Sequence, residues 1–332
     1  MRKGGLTMQG FSQQRDALHC RFLSLGTLNE IDLFAEAADA LAMAEKRVRE
    51  IDDCMSVFKP DSDIFRLNAF AGRKAVELHP ETLALLALAK TIHAESRGAF
   101  DITVRPLTKL WAIEKNRETV PAEREIARAR KLVDSRKLVC DAKHARAFLK
   151  RSGQAVDLGG IAKGYAADEV KRILSENGVQ NALINLGGNI AAVGTRPDGS
   201  PWHIGIQNPA AARGTYIAVL SIADCSVVTS GSNERFFIRD GVRYHHILDP
   251  RTGWPVQNGL LSVTVVCRRS VIADALSTAL FAGGMRYLPL LRQYDAEAVI
   301  ATERGELYAT PGLSGRLEIV SDQTEKRSQR HA

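Results

Sequence analysis

Between Asp32 and Phe58 apolar residues recur at helical spacing. Leu33, Ala37, Leu41, Ala44, Val48 and Ile51 trace one face and predict a long amphipathic helix. The stretch before it, "HCRFLSLGTL", reads as a strand ending in a turn. Ser62 is placed to cap a short helix in "PDSDIFRLN". Pro80 opens a second long helix, "PETLALLALAKTIHAESRG", which Gly98 ends. "AFDITV" follows as an extended segment, Pro121 opens a helix running to about Leu132, and short β-like runs surround Val139 and Phe148.

The second half changes period. "NALINLGGNIAAVG", "WHIGIQNP", "TYIAVLSI", "CSVVTS", "YHHILD", "LLSVTVVC" and "EAVIATE" carry β-branched and aromatic residues between turn signals. Two helices interrupt them, "KGYAADEVKRILSENG" and "SVIADALSTALFAGG". Strands joined by short turns predict mainly antiparallel sheets with flanking helices, an α+β fold. Residues 1–18 read as a flexible arm, 19–312 as one folded domain and 313–332 as a polar tail.

Composition narrows the function classes. The 332 residues carry a net charge of +7, with 45% hydrophobic and 25% charged residues, ordinary globular values. Basic clusters at Arg124–Lys131 and in the terminal "EKRSQRHA" lack interleaved aromatics, so they read as solvated faces and not as a nucleic-acid surface. No run approaches the roughly 18 apolar residues of a membrane span. The five cysteines are scattered without a C-x-x-C pair, which argues against a zinc site and against a disulfide framework. The first twenty residues contain no apolar signal region, so the chain as written is expected to be cytoplasmic, or periplasmic and membrane-anchored if a leader precedes this start.

The candidate chemistry begins in "SVIADALSTALFAGG". Asp274 and Thr278 lie one helical turn apart and share a face, with Ser277 beside them. Two readings fit. With Ser270 as N-cap, Asp274 meets the helix dipole and Thr278 bonds back to the Asp274 carbonyl. Alternatively, the oxygens hold a hard divalent cation such as Mg²⁺. "AVDLGGIAKGYAADEV" brings Asp157, a glycine pair and Lys163 to a helix start, a place suited to phosphate, although the spacing is neither a P-loop nor G-x-G-x-x-G. Asn189, after a second glycine pair, is placed to cap or bridge. "VVTSGSNER" offers hydroxyls without the G-x-S-x-G of a serine hydrolase. His245 and His246 are adjacent on an expected strand and so face opposite ways; one inward histidine is a polar contact or a proton acceptor. Asp101 beside Phe100 suits a nucleobase or flavin edge.

In order, "GAFDITVRPL", "VDLGGIAKGYAADEV", "NALINLGGNIAAVG", "VVTSGSNERFF", "YHHILDPRTGWPV" and "VIADALSTALFAGG" strongly resemble the ApbE family, the FAD:protein FMN transferases, over about residues 19–312. The resemblance implies an ApbE-like (T-fold-like) architecture and Mg²⁺-dependent transfer of FMN from FAD to a Thr or Ser hydroxyl of an acceptor protein, a flavoprotein subunit of a redox complex, with release of AMP. On it, Asp274 and Thr278 are the Mg²⁺ ligands, joined by a backbone carbonyl near Gly160 and by Ser277. Ala99, Phe100, Asp101, Asp157, Lys163 and Leu248 fall at FAD-contacting positions. His246, or Asp157, is the candidate base for the acceptor hydroxyl. Two departures fall at expected flavin contacts: Leu25 where the family often has Met, and Phe58 where an aromatic hydroxyl is usual. FAD hydrolysis to FMN and AMP, and flavin binding without turnover, are the alternatives.

Overall fold

The computed structural model describes residues 17–113 and 118–320. In chain order the first part holds β1 (Leu18–Ser24), β2 (Thr27–Leu33), α1 (Ala38–Met55), α2 (Asp63–Ala69), β3 (Val76–Glu77), α3 (Pro80–Glu95), α4 (Arg105–Trp111), α5 (Glu123–Arg130), β4 (Leu138–Asp141) and β5 (Arg146–Leu149). The second holds α6 (Ala162–Glu176), β6 (Ala182–Leu186), β7 (Asn189–Val193), β8 (Trp202–Gln207), β9 (Tyr216–Ile222), β10 (Ser226–Gly231), β11 (Phe236–Arg239), β12 (Val242–His245) and β13 (Leu260–Cys267). It closes with α7 (Ser270–Gly283), α8 (Pro289–Gln293), β14 (Glu297–Thr302), β15 (Leu307–Ala309) and β16 (Leu317–Ile319).

The fold is α+β, organised by an eight-stranded antiparallel sheet in the order β1-β2-β6-β7-β10-β13-β14-β15. Period-two alternation sends neighbouring side chains to different cores. Val228, Val263 and Val265 join the core under the helices, whereas Val227 and Val266 join Trp202, Ile206 and Leu220 under the small sheet β16-β9-β8. A central strand covered on both faces has no solvent side, so β13 is buried almost throughout, Ser262 and Thr264 included.

Several boundaries depart from the sequence reading. The helix expected from Asp32 begins at Ala38, because Asp32 and Leu33 finish β2. Leu25 and Gly26 take left-handed φ values of 54° and 69° and close a tight hairpin, and the alternate residues Ile31 and Leu33 are then buried as strand positions. "AFDITV" is turn and coil; its one ladder contact is the parallel bridge between Val104 and Ala155. The Pro121 helix runs over Glu123–Arg130, and β12 stops at His245, leaving Leu248 bridged to Pro255. Beyond residue 312, Leu317–Ile319 pairs with β9, so ordered chain continues into the expected tail. The first 16 residues of the expected arm, and residues 321–332, lie outside the described residues. Ser62 caps α2 as read, accepting the amide of Phe65 at 2.9 Å.

Candidate functional site

Helices α6 and α7 lie side by side on the sheet and touch at Gly164, where an added Cβ would come within 2.4 Å of the Ser270 carbonyl oxygen. That approach replaces the expected cap. Ser270 is the first residue of α7 and not its N-cap; its amide and that of Val271 are taken by Asp168 of α6 at 2.7 and 2.9 Å. The Ser270 hydroxyl instead donates to Asn189 Oδ1 at 2.7 Å, which gives Asn189 the bridging role. At the other end of α7, Arg251 and Asn258 donate to the carbonyls of Ala282 and Phe281. Both ends of the helix are therefore fixed by side chains from elsewhere in the chain, a firm base for whatever it presents.

What it presents is Asp274, only 4% exposed. Its Oδ2 accepts the Gly164 amide at 2.9 Å, and Lys163 Nζ stands 3.9 Å from Oδ1. A buried carboxylate normally gathers more donors than this, so Oδ1 retains capacity for a cation. One turn on, the Thr278 hydroxyl bonds weakly back to the Asp274 carbonyl at 3.3 Å, as the first of the two readings required, yet it also faces the glycine pair. A Cβ on Gly160 would lie 3.3 Å from Thr278 Oγ1 and 3.4 Å from the Phe100 ring. Ser277 differs. Fully buried, its hydroxyl donates to the Asp274 carbonyl at 2.9 Å and receives Ser230 at 2.9 Å. It braces the turn and has no free face to offer.

These groups border a cleft of about 1040 Å³, at the upper end of ligand-site volumes. Leu25, Phe58, Ala99, Phe100, Asp101, Asp157, Gly160, Lys163, His246, Leu248, Asp274 and Thr278 all line it. Residues more than two hundred positions apart in the chain thus converge on one wall. Lys163 donates to the Gly159 carbonyl at 2.9 Å, which aims its charge across the glycine turn. Asp157 accepts Gly159 N at 2.9 Å and Arg105 at 3.2 Å, and the same guanidinium lies over the Phe58 ring at 5.0 Å. Arg105 was not singled out from sequence, although it follows "AFDITV" directly.

Asp101 lies on this wall, but its carboxylate turns inward. Thr103 N and Oγ1, Ser135 N and Oγ, and His93 Nδ1 all donate to it, at 2.6–3.1 Å. Burial would raise its pKa, but the bond and charge of His93 and the hydroxyl donors outweigh that and hold it below the usual carboxylate range. The carboxylate that suited a flavin edge is spent on the loop, and Ala99 and Phe100, both buried, shape the cleft through that loop.

The two histidines face different ways as expected, although β12 ends at His245 and His246 lies just beyond it. His245 is buried, its Nε2 donating to the Val256 carbonyl at 2.7 Å. His246 looks into the cleft, with Nδ1 3.4 Å from the Arg235 carbonyl. A carbonyl only accepts, so Nδ1 carries the proton and Nε2 keeps a free lone pair. Burial, then the neighbouring His245 and Arg235, push its pKa down to about 4, so the ring is neutral at physiological pH.

No helix among the described residues is long and apolar enough to cross a membrane. The ApbE family profile matches residues 25–300. An FAD:protein FMN transferase of Klebsiella pneumoniae is 36% identical over 262 residues, covering 78% of this chain and 81% of its own length. A protein of the same name from Treponema pallidum is 34% identical over 323 residues, 90% of this chain and 88% of that one. Among solved structures, the ApbE protein of Thermotoga maritima superposes with a TM-score of 0.83 at 32% identity, covering 91% of this chain and 99% of that chain. Flavin transferase ApbE from Vibrio cholerae gives 0.81 at 27% identity, covering 91% and 99%. With its motifs gathered in one cleft and its fold shared almost end to end, the chain belongs to the ApbE family.

Proposed function

We propose that the chain is an FAD:protein FMN transferase: it moves FMN from FAD to a Thr or Ser hydroxyl of an acceptor flavoprotein subunit and releases AMP, with Mg²⁺ bound beside Asp274. The observation that carries this reading is the under-coordinated, buried Asp274 carboxylate beside the Thr278 hydroxyl and Lys163, on the wall of a dinucleotide-sized cleft. The donor set is all oxygen, which fits a hard cation that keeps open positions for phosphate. Asp274 and Thr278 would hold it, with the backbone of the Gly160 turn adjacent; Ser277, its hydroxyl committed inward, positions that turn instead of ligating. When bound, such a cation neutralises charge on a pyrophosphate oxygen as the bridge breaks.

The chain's own groups supply the rest. Lys163 gives a second positive charge for the phosphates and the α6 N-terminus adds its amide dipoles. The neutral His246, with Nε2 free, accepts the proton of the acceptor hydroxyl as its oxygen attacks phosphorus. Asp157 is held by Arg105 and Gly159, and so supports the wall better than it serves as a base. Phe58, 63% exposed, offers an aromatic face for an isoalloxazine or adenine ring.

The test incubates the protein with FAD, Mg²⁺ and a candidate acceptor subunit. A mass gain of one FMN on the acceptor, abolished by Asp274→Ala, supports the reading. Free FMN without acceptor gain would show hydrolysis, and unchanged bound FAD would show a binding protein; either outcome overturns transfer.

A further inference from the structure

Away from the Asp274 corner, where α1 ends, α2 begins and α3 is capped, a thiol, a carboxylate and an imidazole converge. Cys54 Sγ lies 3.3 Å from Asp63 Oδ2 and 3.3 Å from His79 Nδ1, and His79 Nδ1 lies 3.1 Å from the same Asp63 oxygen. Among the described residues this is the one group of three or more His, Cys, Asp or Glu side chains whose ligand atoms all approach within 4.8 Å of one another. We propose that Cys54, Asp63 and His79 form a zinc(II) site, with the fourth position open to water, that staples α1, α2 and α3 together behind the Phe58 segment.

Geometry carries the proposal. Zinc sits about 2.3 Å from sulfur and about 2.0–2.1 Å from nitrogen or oxygen, so the edges of such a tetrahedron are about 3.3–3.6 Å. The three separations fall within a few tenths of an ångström of those edges. Helix capping accounts for only part of the arrangement. Asp63 Oδ2 accepts the His79 amide at 2.8 Å and so caps α3, but a cap requires neither an imidazole nor a thiol on the same oxygen. Asp63 is 1% exposed and its other oxygen is held by Arg66 at 2.6 Å, which fixes its orientation in the way second-shell bonds fix a ligand. The His79 side chain is 65% exposed and gives ions a route in. Thr82 Oγ1, 3.2 Å from the sulfur, completes the polar lining.

The chemistry of binding balances within the set. On binding, the thiol proton leaves to solvent, the imidazole carries its hydrogen on Nε2, and one thiolate and one carboxylate face the ion. The set is invisible to C-x-x-C spacing, because nine and sixteen intervening steps of chain separate its members.

The test uses the full chain, stripped of metal and held in saturating Mg²⁺ so that hard-oxygen sites are filled, and titrates it with Co²⁺. One equivalent should produce a thiolate-to-cobalt charge-transfer band with tetrahedral ligand-field absorption, displaced by Zn²⁺. No cysteine lines the large cleft, so the band reports this site and not that one. Cys54→Ser should remove the band, and His79→Ala should weaken binding at least ~10-fold, the scale seen even for outer partners of a metal. Zinc should raise the melting temperature of the wild type and leave that of Cys54→Ser unmoved; circular dichroism checks that both variants fold. Absence of the band in the wild type, a band persisting in Cys54→Ser, or wild-type affinity in His79→Ala would each overturn the site.

Discussion

Two buried carboxylates border the same cleft and are held in opposite ways. Asp101 is 6% exposed and Asp274 4%, so burial alone does not separate them. Their partners do. Asp101 collects donors from Thr103, Ser135 and His93 and is saturated, whereas Asp274 takes one backbone amide and a distant lysine. A saturated buried carboxylate holds chain in place; an under-satisfied one retains lone pairs for a cation or another donor that enters the cleft. Function is therefore to be sought where the structure leaves a buried oxygen short, and stability where it does not.

The widest separation between the two should appear on neutralising each. Asp274→Asn keeps the shape and the Gly164 contact, and transfer should fall at least ~100-fold, past the range of outer-partner changes around metals, while the melting temperature stays near that of the wild type. Asp101→Asn should do the reverse, costing about 3–5 kcal/mol in denaturant unfolding because His93 loses a buried partner. A stable Asp101→Asn beside an unfolded Asp274→Asn would break the comparison. Next in size is Gly164→Ala, which drives a methyl against the Ser270 carbonyl. It should cost about 1–3 kcal/mol and raise the Mg²⁺ concentration needed for activity, since α6 and α7 must part at the site.

Within the α7 turn, on the proposed assignment, Thr278→Val should raise the half-saturating Mg²⁺ concentration about 10-fold, whereas Ser277→Ala, which removes the inward brace, should shift it less. Equal shifts would return Ser277 to the ligand set. His246→Ala, assayed at saturating Mg²⁺, tests the base separately, with a fall of ~10²-fold expected.

The smallest effects concern pH, and they differ in sign between groups. Burial opposes charge on His93, but Asp101 outweighs it and raises its pKa, so this pair's contribution is fully present below the ordinary histidine value near 6.5 and is lost as pH rises through the folded value. The lowered Asp101 stabilises above the ordinary carboxylate range, and that is lost as pH falls through its own folded value. His246 and His245 are both held neutral, chiefly by burial, so the unfolded chain takes up protons first. That penalty begins as pH falls below about 6.5 and for His246 is complete near 4. Unfolding free energies measured between pH 4 and 8 should show the acid-side loss shrink in His246→Ala and the alkaline-side loss shrink in His93→Gln.

Much of the fold was legible because it rests on local periodicity. Ser62 capped its helix, Pro80 opened one, and the second-half strands fell where β-branched runs lay between turns. The reading failed where a local signal was outvoted. Leu33 fits a helical face, but burial of Ile31 and Leu33 against β6 made residues up to 33 a strand, with the helix starting only after Ala37. Ser270 looked like a cap until Asp168, from another helix, took the amides.

The sequence alone determined which residues could carry chemistry and in what order, because side-chain type and helical spacing are local: Asp274 and Thr278 share a face in any α-helix. Tertiary structure decided what surrounds each of them. It saturated Asp101 and left Asp274 short, committed Ser277 inward, and set Cys54, Asp63 and His79 around one point. Coordination depends on donors arriving from distant segments, and no pattern along a chain records which donors arrive.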